Sequence, residues 1–191
     1  EEDLISLIVA REGEEKPLTF SMKREKVEVP TVNAQMMEDE IGYIQITEFD
    51  SVTVDQFRNA IETLEEEGME KLIVDVRDNP GGMLTSVCEI LDQMLPEGLM
   101  VYTEDKEGNR SEYTSDEEHQ FTKPLAVLVN GDSASASEIF AGAIQDYSAG
   151  TLVGTTTYGK GIVQSVLPLS DGSAIKVTSA EYFTPNGRNI H

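Results

Sequence analysis

The sequence is poor in the residues that hold metal clusters and disulfide frameworks. Its 191 residues include one cysteine, Cys88, and two histidines. One thiol excludes an intramolecular disulfide, and so small a set of ligands has no zinc-binding spacing. We therefore expect no metal site, and we expect Cys88 to pack as a small apolar residue on a helix.

Positive charge and long apolar runs are scarce as well. Fourteen basic residues stand against 36 acidic ones, which gives a formal net charge of −22. Such a surface repels phosphate backbones, so nucleic acid is not expected as a partner. No stretch reaches the roughly 18 apolar residues of a membrane-spanning helix, so no integral membrane segment is expected. A hydrophobic content of 39% predicts a soluble globular chain with one buried core.

Strand-like and helix-like patterns alternate through the middle of the chain. Residues 4–10 and 19–24 predict an N-terminal hairpin. Further strands are expected at 31–37, 41–46, 71–76, 99–104, 124–130 and 151–155, followed by a tail with a hairpin around Asp171 and Gly172. Helices are expected from Thr53, through Val87 to Met94, and from about Ser135 to Tyr147. The alternation favours an α/β fold, with a mixed β-sheet core and packed helices.

The first of these helices carries two end signals. Thr53 and Gln56 have the spacing of a capping box, and Gly68 is placed for a C-terminal cap. Both signals predict where the helix begins and ends.

Ser135 lies where the strand 124–130 should pass into a helix. Gly131 to Ser133 supply turn residues, and the small neighbours Ala134 and Ala136 let a backbone approach closely. Ser135 and Glu138 also fit the capping-box pattern. Two interpretations follow, a helix cap and a serine nucleophile exposed at a turn, and the turn alone favours the cap.

Lys160 lies in a stretch whose residue pattern is close to that of a phosphate-binding loop. Gly154, Gly159 and Lys160 give G-x-x-x-x-G-K, but Gly161 stands where Ser or Thr would hold magnesium. The residues after Lys160 are β-branched and strand-like, whereas a phosphate-binding loop opens a helix. Nucleotide binding is therefore not favoured.

The other interpretation makes Lys160 a base. A lysine can take a proton from serine only as the neutral amine, a form that apolar surroundings favour. Gln164 lies four residues on, on the same face of a strand, where its amide would orient the amine. An exposed loop cation is the alternative for Lys160. A Ser-His-Asp triad is disfavoured, because neither His119 nor His191 lies in a buried pattern.

The turn 78–82, DNPGG, follows a strand whose apolar residues predict that it is buried. Two glycines can present backbone N–H groups outward, as donors to the oxyanion of acyl transfer. A plain strand-to-helix turn is the alternative.

Together these residues match a known pattern. The chain resembles the C-terminal processing peptidases, or tail-specific proteases, which are Ser/Lys enzymes. The matching stretches are GYIQITEF (42–49), LIVDVRDNPGG (72–82), VLVNGDSASASEIFAGAIQDY (127–147), LVGTTTYGKGIVQ (152–164) and YFTPNGRNIH (182–191). They occur in the family's order, and the pair SASASE and YGKG-x-x-Q is highly specific.

The resemblance implies a serine endopeptidase that cleaves flexible or unfolded C-terminal regions of protein substrates. It makes Ser135 the nucleophile, Lys160 the general base and Gln164 the residue that orients the lysine. It assigns the oxyanion hole to the N–H groups of Gly81 and Ala136. It also implies no cofactor and a core akin to that of the crotonase and Clp-type peptidase groups.

The resemblance further implies two units, a partial PDZ remnant with its linker at 1–29 and the peptidase core at 30–191. The peptide groove of a complete PDZ domain is not evident, and the numbering is expected to be that of a fragment. Related enzymes act in bacterial envelopes or chloroplast lumens, which implies an extracytoplasmic location and leaves homo-oligomerisation open. The rival hypothesis is a non-catalytic protein-binding scaffold or an inactive truncated peptidase.

Overall fold

A computed structural model describes residues 4–116 and 119–191. The strands are β1 (Leu4–Val9), β2 (Leu18–Lys23), β3 (Val32–Met37), β4 (Ile41–Ile46), β5 (Lys71–Asp75), β6 (Gly98–Asp105), β7 (Arg110–Ser115), β8 (Leu125–Val129), β9 (Thr151–Gly154), β10 (Ile162–Pro168) and β11 (Ala174–Phe183). The helices are α1 (Thr53–Glu66), α2 (Leu84–Asp92) and α3 (Ala136–Asp146), with a short 3-10 turn at Glu38–Glu40. The predicted α/β fold, a mixed sheet with packed helices, is confirmed.

The main sheet has five strands in the order β3-β4-β5-β8-β9. β3 is antiparallel to β4, whereas β4, β5, β8 and β9 run parallel. Helices connect the parallel strands and bury apolar side chains between them, among them Phe57, Leu64, Phe140 and Ile144. Because neighbouring parallel strands end at the same edge, the turns that follow β5 and β8 lie side by side.

A second sheet, in the order β10-β11-β6-β7, is entirely antiparallel. The hairpin between β10 and β11 turns at Asp171 and Gly172, as the sequence predicts. The two strands of this hairpin are far more exposed than β4, β5 and β8 of the main sheet, and Val166 retains 63% of its accessible surface. The core of the protein therefore lies with the parallel strands.

The N-terminal hairpin forms as predicted. β1 pairs with β2 in an antiparallel register, Leu4 opposite Lys23, and this pair is a separate two-stranded sheet. Apolar side chains such as Leu4 and Ile8 are exposed on it. Its assignment to a PDZ remnant, and a domain boundary at residue 30, stay predictions. Within the described residues no helix combines the length and apolarity that crossing a membrane requires.

The capping box predicted at the start of α1 is wrong, although Gly68 ends the helix region with φ of 91°. Val52 is the N-cap, with no side-chain cap. The Gln56 Oε1 atom instead accepts hydrogen bonds from the N–H groups of Thr31 (2.9 Å) and Val32 (3.2 Å). A neighbouring strand thus binds the side chain that the local pattern assigned to the helix.

Cys88 packs inside α2 as predicted. Burial, together with the charges of Glu89 and Asp92, raises the pKa of its thiol to about 12. The thiol is therefore protonated and unreactive at neutral pH.

Candidate active site

Ser135 occupies the last position of the turn 131–135, here called the serine turn, between β8 and α3. Its backbone has φ of 56° and ψ of −114°, a region that side chains other than glycine rarely adopt. The neighbouring Ser133 hydroxyl donates to the Val76 carbonyl (2.7 Å) and accepts from the Asn130 N–H (3.0 Å). Rigid surroundings therefore hold Ser135 in a strained backbone conformation. Such a conformation is typical of serine nucleophiles at strand-to-helix turns.

The glycine turn 78–82 lies directly against the serine turn. A Cβ atom added to Gly81 would come within 2.7 Å of the Ala134 carbonyl oxygen and 2.8 Å of Ser135 Cβ. Gly81 also has φ of 106°, which favours glycine. Only a glycine thus permits the two turns to approach so closely.

The two N–H groups that the resemblance assigns to the oxyanion hole differ in their bonding. In the described chain the Ala136 N–H, at the first position of α3, has no hydrogen-bond partner. The Gly81 N–H donates to Asn79 Oδ1 (2.8 Å). The Ala136 N–H is therefore available to an additional acceptor, whereas the Gly81 N–H is already engaged.

Asn79 is a buried residue that forms several hydrogen bonds, which the sequence pattern did not indicate. Its Nδ2 donates to the Ile46 carbonyl (2.9 Å). Its backbone carbonyl accepts hydrogen bonds from the Ala134 N–H and from the Ser137 hydroxyl, both at 3.0 Å. Asn79 therefore ties the glycine turn to β4 and to the serine turn. The sequence shows Asn79 only as a turn residue, because its partners are distant in the chain.

Lys160 lies in the segment 155–161, here called the lysine segment, which leads into β10. A cleft of about 490 Å³ is lined by Asp78, Pro80, Asp132, Ala134, Tyr158 and Lys160. The structure thus brings the lysine and the serine turn to one cleft. Among the described residues, no hydrogen bond joins Lys160 Nζ to Ser135 Oγ.

Gln164 lies on β10 with an exposed side chain. β10 begins at Ile162, and its pairing with β11 is irregular between Val163 and Gln164. The simple alternation that placed Gln164 on the face of Lys160 therefore does not run through this segment. No hydrogen bond between the Gln164 amide and the lysine amine occurs in the described structure. Because a strand follows Lys160, the phosphate-binding-loop alternative is excluded.

Glu138 joins the two sides of the site. Its carboxylate accepts hydrogen bonds from the N–H groups of Ser135 (2.9 Å), Gly159 (2.6 Å) and Lys160 (2.8 Å). The capping box predicted for Ser135 and Glu138 is present, and the bond from the Ser135 N–H is the half that the Glu138 side chain supplies. The capping spacing indicated the first contact, whereas nothing in the sequence pointed to the other two.

His191 contacts the lysine segment rather than the serine turn. Its Nδ1 lies 3.1 Å from the Gly159 carbonyl oxygen, and its ring is exposed. No group of histidine, cysteine and acidic side chains in the described ranges is arranged to hold a metal ion.

Two facing turns on a mixed α/β fold, one with a strained serine and one with glycines, are the arrangement of hydrolases that use a serine nucleophile. A family comparison agrees with this class. The model of peptidase family S41 matches residues 40–191, and the chain belongs to that family.

The similarity extends to individual proteins. The chain is 40% identical to the carboxyl-terminal-processing protease of Synechocystis sp., a match covering 98% of this chain and 45% of that protein. It is 38% identical to the carboxy-terminal processing protease CtpB of Bacillus subtilis, covering 98% and 40%. A solved photosystem II D1 C-terminal processing protease matches all of this chain and 53% of its own, with a TM-score of 0.78 and 31% identity. The chain thus spans less than half the length of these two curated relatives.

Proposed function

We propose that the chain is the catalytic core of a serine endopeptidase that cleaves flexible or unfolded C-terminal regions of proteins. One observation carries the proposal: Ser135 has a strained backbone, lies beside the unpartnered Ala136 N–H, and adjoins the cleft that Lys160 lines. Strain of this kind is maintained where the surrounding structure enforces it, commonly at active sites.

In the proposed mechanism, Ser135 Oγ attacks the scissile carbonyl carbon while the neutral Lys160 amine takes the hydroxyl proton. The Ala136 N–H stabilises the oxyanion, joined by the Gly81 N–H once it turns from Asn79. Lys160 then donates the proton to the leaving amine. A water molecule next attacks the acyl carbon and gives a proton to Lys160, which passes it to Ser135 Oγ as the acyl–oxygen bond breaks and the carboxylic acid product leaves. These transfers require Nζ to come within hydrogen-bond reach of Oγ, a movement that the flexible lysine side chain allows, and we propose that Gln164 steadies the amine there.

The substrate proposal depends on the cleft and on the relatives. The cleft opens beside an exposed Tyr158 and has room for an extended chain. A flexible segment fits such a cleft, because a folded domain would have to unfold locally to enter it. The relatives named as C-terminal processing proteases support a preference for C-terminal regions. An extracytoplasmic location and homo-oligomerisation stay predictions.

The decisive experiment incubates the chain with an unstructured polypeptide and follows cleavage. Ser135→Ala and Lys160→Ala are each expected to lower the rate by more than about 10³-fold, because each removes a reacting group. Ser51→Ala and Lys176→Ala, which alter exposed residues, serve as matched controls and should retain the parent rate. A Ser135→Ala protein that cleaves as fast as the parent would show the assignment to be wrong.

A pH series tests the base separately. Only an amine with a free lone pair can accept the serine proton, so the proposed mechanism predicts a cleavage rate that rises with pH. A cleavage rate that stays flat from acid to alkaline pH would count against Lys160.

A non-catalytic scaffold is the second candidate. It is favoured by the missing bond between Lys160 and Ser135 and by the engaged Gly81 N–H. This candidate predicts that the parent and Ser135→Ala bind the polypeptide equally and that neither cleaves it. Catalytic contacts are often loose before substrate binds, so the cleavage assay decides between the two.

A further inference from the structure

The Glu138 carboxylate connects two segments that lie far apart in the sequence. Ser135 precedes it by three residues, whereas Gly159 and Lys160 follow it by 21 and 22. A capping box needs only the first of these bonds. The two bonds to the lysine segment therefore exceed what the end of α3 requires.

Burial makes these bonds essential to the carboxylate. Glu138 is only 4% exposed, and a buried carboxylate without partners is strongly unfavourable. Three backbone donors and the N-terminus of α3 supply its compensation. Since two of the three donors are in the lysine segment, the carboxylate can stay buried only while that segment is in place.

The carboxylate binds the lysine segment without capturing the lysine amine. The Lys160 N–H lies 2.8 Å from Oε2, yet within the described ranges no ion pair joins Lys160 Nζ to this carboxylate. The backbone is thus held while the side chain continues into the cleft that the serine turn also lines.

We propose that Glu138 is a positioning residue, which holds the backbone of Ser135 and the backbone of Lys160 at a fixed separation. The proposal rests on the proposed function, because the separation matters for transfer between Ser135 and Lys160. Glu138 touches no reacting atom, so it acts on the rate only through the geometry of these two residues.

Glu138→Gln is the sharpest test, because it keeps the size of the side chain and replaces one acceptor oxygen by a donor. At least one of the three N–H groups then faces another donor. Misplacement by about 1 Å at an active site costs on the order of 100-fold in rate, so kcat should fall by about that factor while KM stays within about twofold. Glu89→Gln, the same change at an exposed helical position, should leave both constants unchanged.

Amide hydrogen exchange supplies a readout that does not depend on activity. In Glu138→Gln, protection of Ser135, Gly159 and Lys160 should fall at least about tenfold, since hydrogen bonds to a charged acceptor are lost. The Tyr158 N–H, which donates to the Ser133 carbonyl (3.0 Å), and the amides of β5 and β8 should keep their protection. A residue needed only for packing or overall stability would change all of them or none.

The outcomes separate the two proposals. If the parent does not cleave, the proposed function fails, and the exchange pattern alone decides whether Glu138 holds the two segments. If the parent cleaves and Glu138→Gln retains the parent kcat, or if protection of Gly159 and Lys160 is unchanged, the positioning role is overturned. Glu138→Asp, which keeps the charge but is one methylene shorter, should reproduce the loss of kcat.

Discussion

The serine turn and the lysine segment face one cleft, but they are held in very different ways. Ser133 and Ala134 of the serine turn are buried, and so is Ala136, which follows the turn. In the lysine segment Tyr158 is 67% exposed, and the segment continues into the open sheet of β10 and β11. Ser135, the proposed nucleophile, thus lies in the well-packed part of the protein, and Lys160, the proposed base, lies in its more exposed part.

This difference shows which side of the site depends on few contacts. Packing around the parallel strands fixes Ser135, whereas a few hydrogen bonds fix the lysine segment. Besides the bonds to Glu138, the Tyr158 N–H donates to Ser133, and the Gly161 carbonyl accepts from the Tyr182 N–H (2.7 Å). Substitutions on the serine side should therefore change stability, and substitutions on the lysine side should change the rate.

The largest effect is expected for Phe140→Ala on the serine side. Phe140 is fully buried in α3 and lies 6.4 Å from the Phe49 ring, centroid to centroid. Removing such a ring leaves a cavity and should cost about 3–5 kcal/mol of unfolding free energy, measured by urea denaturation. Phe20→Ala, on the exposed N-terminal hairpin, is the control and should cost about 0.5 kcal/mol or less. Equal losses of unfolding free energy for the two variants would contradict the conclusion that the serine side is the well-packed part.

Gly161→Ala should instead act on the rate. A Cβ atom there would overlap with the backbone of Ile190 and His191, so the lysine segment or these two residues must shift. We expect kcat to fall on the order of 100-fold, with a much smaller change in unfolding free energy. Gly131→Ala is the control, because its nearest neighbour would be 3.9 Å away. A variant that unfolds with the severity of Phe140→Ala would place Gly161 in the core instead.

A third test uses the charge pair at the end of β5. Burial by itself raises the pKa of Asp75, but hydrogen bonds from Arg77 and Tyr43 outweigh it and hold that pKa below its ordinary value of 3.8. The pair therefore stabilises the fold above that pH, and its contribution is lost as pH falls through the lower folded value. Arg77 is half exposed, so solvent screening limits the loss of unfolding free energy expected for Arg77→Ala, which should be smaller than that of Phe140→Ala at neutral pH.

Denaturation at several pH values checks this prediction. The difference between parent and Arg77→Ala should shrink as the solution is acidified below the ordinary Asp75 value. Arg58→Ala, which removes an exposed pair with Asp55, should show almost no difference at any pH. A loss that is independent of pH would remove the electrostatic explanation.

The smallest effect is expected for Val166→Ala on β10. This exposed side chain contributes little to the core, so unfolding free energy should change by no more than about 0.5 kcal/mol. Hydrogen exchange of β10 amides should also be faster than that of β8 amides. A cost comparable to that of Phe140→Ala would show that the second sheet is packed as tightly as the first.

Much of this architecture was predictable because apolar spacing reports which face of an element is buried. The turn at Ser135 and the glycine turn were both identified this way, since breakers follow strands with apolar runs. The prediction failed at Gln56, whose amide oxygen binds the N–H groups of Thr31 and Val32 instead of capping α1. The prediction that Gln164 shares a strand face with Lys160 did not include the irregular pairing of β10 with β11, because such an irregularity is not visible in a residue pattern.

The residue pattern alone indicates the order of strands and helices, the strand-to-helix turn that carries Ser135, and the family that the residues resemble. These features depend on neighbouring residues, whose spacing sets local hydrogen bonding and the buried face. Three features became visible only in the folded chain: Glu138 binds the lysine segment, Asn79 engages the Gly81 N–H, and Lys160 lines the cleft without a bond to Ser135 in the described structure. Those contacts join residues distant in the chain, and their geometry is set by how the two sheets and α3 pack together.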